Sequence, residues 1–206
     1  MKADTILVYS KQTGGQSVPL TVRLEWYPDG TVKPLMYWIP DGSCYRIRHI
    51  YDSTPLALLR ERGAGLRFKV RAEVIETPDP CAEYPFAQHD TYLYLADNWF
   101  CGQNMIDSRY AHKGKEYIPV TLDVFPNCEY ELLYFTARGV RYKIEETLAV
   151  EPRASFLAGG AGVWHKVKAR QINAGDDEDP DPSVSIRRMA ALYFEVNKWF
   201  VTIKTT

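Results

Sequence analysis

The residues best suited to chemistry are cations at alternate positions of one segment. Between Leu66 and Val74, apolar side chains alternate with Arg67, Lys69 and Arg71. Alternation with a period of two predicts a β-strand with the cations on the face opposite the apolar residues. A row of cations on a sheet can contact successive phosphates of a nucleic acid, or the carboxylates of a protein. The segment therefore predicts a basic strand face as a candidate binding site.

A second row of this kind follows further along the chain. Its members are Trp164, Lys166, Lys168 and Arg170. Positive charge recurs at Lys69/Lys166 and Arg71/Lys168, each 97 residues apart (166 − 69 and 168 − 71). The indole of Trp164 adds a ring on which a nucleic-acid base could stack. The alternative interpretation is a solvated sheet face whose cations pair with the many Asp and Glu residues.

Candidate catalytic groups are not repeated in this way. His49 aligns with Glu146, and His165 aligns with Phe68, a residue on the apolar side of its strand. No serine or cysteine nucleophile is paired with a histidine by spacing. The pattern favours a protein that is not an enzyme. The enzymatic alternative is a hydrolase or transferase with a site between the two halves of the chain, which would use His49, His112, Glu146 and His165.

The sequence also predicts neither a cofactor nor a metal site. The acidic segment 176–182 lacks the spacing and the glycine of a calcium-binding loop. The glycines at 159–162 are expected to end a helix, whereas a phosphate-binding loop opens one. The four cysteines include no C-x2-C pair and have no counterparts in the other half of the chain, so we expect reduced, structural thiols.

Composition limits the choice of partner and compartment. The net charge is −1 and the pI is about 6.4, so nothing draws the whole chain towards nucleic acid or membrane. No apolar run reaches the ~18 residues of a membrane helix. The first residues lack the charged and apolar blocks of a signal peptide. These features predict a cytoplasmic protein without a membrane partner.

The two cationic rows belong to an internal repeat. Residues 34–75 overlay residues 131–172 without a gap, and fourteen of these 42 positions are identical. Near the repeat ends the offset becomes 100, as in Trp99/Trp199 and Phe100/Phe200. Similarity at a fixed period indicates a tandem duplication. The expected organisation is an N-terminal strand or arm (1–17), a first β-rich repeat (18–102), a connector (103–117) and a second β-rich repeat (118–206).

Each repeat predicts the same fold, which is mainly β (α+β). Short alternating strands separated by Pro, Asp, Asn and Gly turns indicate a small antiparallel sheet or partial barrel. One short helix per repeat is expected near 55–62 and 152–158, because Pro55 and Pro152 suit a first helical turn and Gly63 and Gly160 can end it.

A family resemblance accompanies this pattern. Its residues are Pro34, Tyr37-Trp38, Gly42, Tyr45-Arg46-Ile47, Arg67-Phe68-Lys69-Val70, Tyr92-Leu93-Tyr94-Leu95 and Trp99-Phe100. Over 34–102, and again over 131–203, the chain resembles a family of small bacterial β-rich domains of unknown function. Some members of that family are associated with DNA-repair polymerases. The resemblance implies the β-rich fold and a bacterial source, and it assigns no functional residue.

The sequence therefore predicts a binding or protein-interaction module with two pseudo-equivalent surfaces. An unknown protein is the expected partner. The alternative partner is nucleic acid, bound by the basic strand faces.

Overall fold

The computed structural model describes residues 7–11, 17–57, 64–78, 88–97, 116–127, 129–154, 161–172, 186–195 and 198–203. These residues form thirteen strands, and neighbouring strands within each half pair antiparallel. The strands of the first half are β1 (Leu7–Lys11), β2 (Ser17–Pro19), β3 (Thr21–Trp26), β4 (Val32–Trp38), β5 (Cys44–Ala57), β6 (Ala64–Glu76) and β7 (His89–Asp97). Those of the second half are β8 (Val120–Val124), β9 (Tyr130–Ala137), β10 (Val140–Ala154), β11 (Ala161–Ile172), β12 (Arg187–Glu195) and β13 (Lys198–Ile203).

The described residues contain strands where the sequence predicts the helices to begin. β5 continues through Pro55 to Ala57, and β10 continues through Pro152 to Ala154. Here β5 pairs with β6, and β10 with β11, but no described strand pairs with them on their other side. Proline is tolerated because no partner on that open side needs the missing N–H. The predicted helix starts at Pro55 and Pro152 are therefore wrong. Residues 58–62 and 155–158 lie outside the described residues, as do the connector up to residue 115 and the acidic segment. No helix in the described ranges is long and apolar enough to cross a membrane.

The chain divides into two compact units that are not contiguous in sequence. Unit 1 contains most of the first half together with the segment Asp123–Glu131. Unit 2 contains most of the second half together with Glu25–Val32. Side-chain packing explains the second assignment, because the buried ring of Trp26 meets Phe194 edge-on at 5.2 Å within unit 2.

In both halves, strands that follow one another in sequence are neighbours in the sheet, from β3 to β7 and from β8 to β13. The strand order is β3-β4-β5-β6-β7-β1-β2 in the first half and β8-β9-β10-β11-β12-β13 in the second. β13 then returns to the segment before β8, where Tyr117 bridges Phe200 and the N–H of Ile118 donates to the carbonyl of Trp199. β7 and β12 occupy corresponding positions in the two halves. β12 pairs with β13, whereas β7 pairs with β1.

The ladders β5–β6 and β10–β11 share their register from Tyr45 and Tyr142 onward, and only the β5–β6 ladder has a further irregularity, between Cys44 and Tyr45. Phe68 lies opposite Ser53 and His165 opposite Val150, and both members differ by 97 (165 − 68 and 150 − 53). Each long strand carries two β-bulges at corresponding places. The bulges leave Arg48 and Tyr51 unpaired in β5, and Glu145 and Leu148 unpaired in β10. A bulge bends its strand and raises the local twist, so the two strands are distorted in the same way.

The strands β4 and β9 correspond with a different offset. Buried, half-buried and exposed side chains follow one another in the same order from Val32 in β4 and from Tyr130 in β9. The stacked rings of Tyr37 and Tyr45 likewise correspond to the stacked rings of Phe135 and Tyr142. Tyr37 therefore corresponds to Phe135 (135 − 37 = 98), and the ungapped overlay is wrong by one residue before Gly42. The missing residue lies in the shorter turn Arg138-Gly139, where both residues have positive φ. Two positive φ values in a two-residue loop describe a type I′ hairpin.

Candidate functional site

The cationic row of unit 1 lies on the outward face of the strands β5, β6 and β7. The buried Phe68, Val70 and Ala72 point to the core, and the residues between them point outward. Cross-strand partners share a face, so the register defines the surface around the cations. We call it the unit 1 face, and it comprises Thr54/Arg67/Tyr94, Asp52/Lys69/Tyr92 and His49/Arg71/Asp90, together with the bulge residue Tyr51.

Aromatic rings hold the three cations of the unit 1 face. The guanidinium of Arg67 lies 5.5 Å from the ring centre of Tyr92. Lys69 and Arg71 both lie over Tyr51, at 5.4 and 5.5 Å. Tyr51 and Tyr92 remain 41% and 37% exposed, so they are among the large apolar side chains that face solvent. Such cation–π contacts restrict the conformations of the long cationic side chains.

Two carboxylates sit within the same surface. Asp90 accepts a hydrogen bond from the Nε of Arg71 at 2.9 Å and one from the hydroxyl of Tyr51 at 3.2 Å. The bond from Arg71 lowers the pKa of the Asp90 carboxyl. Asp52 lies 4.0 Å from Arg67, which also donates to Thr54 at 3.3 Å. Arg67 and Arg71 therefore already have anionic neighbours, contrary to a purely basic face.

The corresponding outward surface of the second unit is less polar. We call it the unit 2 face, and it comprises Glu151/Trp164/Tyr193, Ala149/Lys166/Ala191 and Glu146/Lys168/Met189, together with the bulge residue Leu148. Lys166 is exposed and Lys168 is half-buried, and neither forms an ion pair within the described residues. Trp164 is half-buried and leans on Tyr193, with ring centres 6.4 Å apart.

Arg170 does not belong to an accessible surface. Its side chain is only 4% exposed, and its Nε lies 3.1 Å from a carboxylate oxygen of Glu145. Arg187 binds the other oxygen of Glu145 at 3.0 Å. The expectation that Arg170 extends an exposed cationic row is therefore incorrect, because burial against Glu145 removes it from solvent.

The ion pair of Arg170 has a counterpart of reversed polarity in unit 1. Arg48 contacts Glu73 there, and both positions recur 97 residues later as Glu145 and Arg170 (145 − 48 and 170 − 73). In both units the bulge residue supplies one charge and the neighbouring strand the other. The pair thus serves to hold the bulge, which explains Arg170 better than ligand binding does.

His165 and Cys44 are buried, whereas His49 is exposed on the unit 1 face beside Arg71. His165 is 2% exposed and packs 5.6 Å from the ring of Trp199, and its burial lowers its pKa to about 4. Glu146 lies on the opposite, exposed face, so the structure does not bring these two residues together. His112 lies outside the described residues. Cys44 is buried as a free thiol whose pKa is raised by burial.

No metal-binding group is assembled in the part of the chain that the structure describes. There, no three His, Cys, Asp or Glu side chains come together to hold an ion.

Sequence reasoning found the cations but missed the aromatic and acidic members of the unit 1 face. Asp90 and Tyr92 alternate with the buried Thr91 and Leu93, so their outward position was readable from the pattern. Tyr51 was not, because a bulge places it, and a bulge leaves no period in the sequence.

Comparison with known proteins adds no assignment. No protein-family model, curated protein sequence or solved structure matches the chain.

Proposed function

We propose that the protein is a non-enzymatic protein-binding module built by tandem duplication of a β-rich unit, with the unit 1 face and the unit 2 face as its two pseudo-equivalent surfaces. The observation that carries the proposal is the pair of solvent-facing tyrosines, Tyr51 and Tyr92, held under three cations. Tyrosine and arginine are enriched at protein interfaces, since they combine a large apolar area with directed polar groups.

The matched ladders support the duplication. Two strands with equal register and equal bulges present equivalent positions on both faces. Three outward residues keep their character between the faces: Lys69/Lys166, Arg71/Lys168 and Tyr94/Tyr193. The remaining positions differ, because Asp52 and Asp90 become Ala149 and Met189. We infer related but distinct contacts for the two faces.

Protein is favoured over nucleic acid as the partner. A phosphate backbone would have to compete with Asp90 for Arg71 and with Asp52 for Arg67. Carboxylates near the backbone also repel it. A protein partner can use both signs of charge together with the tyrosine rings. A cytoplasmic location remains part of the proposal.

The test is affinity capture from cells of the source with immobilised protein and two variants. The double variant Tyr51→Ala/Tyr92→Ala removes the aromatic part of the unit 1 face. Ile186→Ala removes an exposed apolar side chain of similar accessibility elsewhere, since Ile186 is 51% exposed. We expect a retained protein that is lost with the double variant and kept with Ile186→Ala. Equal retention by all three proteins contradicts the proposed surface.

A low-salt mobility shift with single- and double-stranded DNA and RNA decides the alternative. We expect no shift at micromolar protein. A shift that weakens steeply with salt would replace the protein partner by nucleic acid.

A further inference from the structure

The strands β1 and β13 hold the same position in their two units. Tyr9 of β1 lies opposite Tyr94 of β7, and Phe200 of β13 lies opposite Tyr193 of β12. Tyr94 and Tyr193 are equivalent, because they pair with matched positions of β6 and β11. β1 and β13 also run in the same direction, with a constant difference of 191 between equivalent residues (200 − 9). We call this position, beside β7 and away from β6, the β7 slot.

A second segment of the first repeat is the sequence counterpart of β13. Trp199-Phe200 of β13 recurs 100 residues earlier as Trp99-Phe100. β13 follows β12 directly along the chain, so the repeat by itself predicts that residues 98–103 follow β7 and fill the β7 slot. The structure has β1 in the slot instead. Two segments of one chain therefore match a single position in unit 1.

The core beside the β7 slot suits a tryptophan. In unit 2, Trp199 is fully buried, with ring centres 4.9 Å from Phe194 and 5.6 Å from His165. The equivalents of these two neighbours in unit 1 are Leu95 and Phe68, which are 3% and 2% exposed. Both are apolar and buried, as a neighbour of an indole ring needs to be.

The next position of the β7 slot suits a phenylalanine. Phe200 stacks on Tyr193 in unit 2, with ring centres 4.8 Å apart and the planes within 2° of parallel. Unit 1 keeps a tyrosine there, since Tyr94 is the equivalent of Tyr193. Phe100 is the sequence equivalent of Phe200, so the same stack can form in unit 1.

The end of β7 shows what the second segment has to change. β7 pairs with β6 for two residues beyond Leu95, as far as Asp97. In unit 2 the equivalent ladder ends at Phe194, and the chain turns directly into β13. A turn over residues 96–98 sets Trp99 opposite Leu95, and three-residue loops are common in hairpins. The last two pairs of β7 with β6 are then replaced by the pairs of a hairpin.

From these observations we propose that β1 is a replaceable strand. Unit 1 has a second arrangement in which residues 99–103 occupy the β7 slot, as β13 occupies its position in unit 2, and β1 leaves. Both segments belong to this chain, so the replacement needs no other molecule. Two packings of one sequence can lie close in free energy when the lost and gained contacts are alike. The inference goes beyond the proposed function, because it concerns unit 1 itself.

Strand replacement alters the border of the unit 1 face. β7 carries Tyr92 and Tyr94 of that face. The replacement puts Phe100 in the place of Tyr9 opposite Tyr94, and it frees residues 7–11. A partner that binds one arrangement more tightly shifts the equilibrium towards it. Occupation of the unit 1 face and release of β1 are thereby coupled, and only this coupling rests on the proposed function.

The test places proline at matched positions of the two competing segments in the full chain. Tyr9→Pro disables β1, because β1 has a partner on each side and such a strand does not tolerate proline. Phe100→Pro disables the second segment at the equivalent position, and the double variant disables both. Amide exchange is followed by NMR. β13 is the internal standard, since neither substitution lies in unit 2.

We expect Tyr9→Pro to quicken amide exchange at residues 7–11 and to slow it at residues 99–103, each by at least about tenfold. The amides of β7 should stay within about threefold of the native chain, because one strand replaces another. Phe100→Pro alone should leave β1 and β7 as they are in the native chain. The double variant should quicken exchange in β7 at least about tenfold beyond either single variant, because no strand then covers it.

Three results would overturn the proposal. The first is Tyr9→Pro without slower amide exchange at residues 99–103, whether unit 1 stays folded or not. The second is equal exchange in β7 for Tyr9→Pro and the double variant, which would mean that Phe100 has no part in covering the slot. The third is slower exchange at residues 99–103 that depends on protein concentration, which would make a second copy the source of the strand. None of these outcomes involves a captured partner, so failure of the proposed function leaves strand replacement in place.

Discussion

At the scale of single residues, the buried His165 occupies the position that Phe68 has in the other unit, and this makes the stability of the protein depend on pH. The side chain is buried beside Trp199, and burial lowers its pKa to about 4, below the ~6.5 of an unfolded chain. The unfolded protein thus binds more protons than the folded one between these values. The free energy of unfolding must therefore fall as the pH drops from about 6.5 to about 4, and this loss is absent above that range.

His165→Phe should remove this acid sensitivity, because a phenyl ring already fills the equivalent site. Between pH 7 and pH 5 the titration of His165 costs ~2 kcal/mol of stability. We therefore expect the variant to gain about that amount relative to the native chain when the pH is lowered. Denaturant unfolding of both proteins at the two pH values measures the difference. An equal loss in both proteins contradicts the assignment.

Sequence reading at the residue scale worked for side chains whose position follows the strand period. The outward Lys69 and Lys166 and the inward His165 are where alternation puts them. It failed for Arg170, which obeys the same period but is covered. The aligned repeats already contained the charge reversal Arg48/Glu145 and Glu73/Arg170. Only the pairing of β10 with β11 showed that the two residues of each unit form an ion pair.

At the scale of elements, the bulged strands β5 and β10 determine what the molecule presents. Each bulge turns one residue out of the ladder, and the ion pairs Arg48–Glu73 and Glu145–Arg170 sit beside the first bulge of each strand. The two pairs differ in burial. Arg48 is 46% exposed and Arg170 is 4% exposed.

The equivalent pairs should accordingly differ in energy. Arg48→Ala removes a surface pair and should lower the free energy of unfolding by less than about 1 kcal/mol. Arg170→Ala removes a buried cation and its packing, and should lower it by about 2–3 kcal/mol while Arg187 still neutralises Glu145. Urea unfolding of both variants checks this order. A smaller effect at Arg170 would mean that the buried pair does not hold its bulge.

At the element scale, the sequence pattern predicted strands, wrongly predicted helices that begin at Pro55 and Pro152, and did not predict the bulges. Pro55 and Pro152 satisfy the rules for a first helical turn, yet both continue long strands. Rules based on neighbouring residues cannot predict this, because a strand accommodates proline only where one of its sides lacks a partner, and that depends on the tertiary structure. The one-residue shift between Tyr37 and Phe135 is likewise a property of the shorter turn Arg138-Gly139.

At the scale of the whole molecule, each of the two units has an outward face built on a long bulged strand and its neighbour. Equal registers preserve the positions, while substitutions such as Asp90 to Met189 change their chemistry. The repeat was visible in the sequence. Which segments belong to each unit could not be predicted from the sequence. The inclusion of Glu25–Val32 in unit 2 depends on tertiary contacts such as that between Trp26 and Phe194.

Lysine reactivity in cell extract tests the central claim most directly. Lys69 and Lys166 mark the unit 1 face and the unit 2 face, and the exposed Lys33 of β4 belongs to neither. Acylation rates read by mass spectrometry can be compared between purified protein and protein in extract of the source cells. We predict that Lys69 and Lys166 react at least about threefold more slowly in extract and that Lys33 does not change, since a bound partner shields only the faces. Unchanged rates at Lys69 and Lys166, or slowing confined to Lys33, would contradict the assignment of these faces as the binding surfaces.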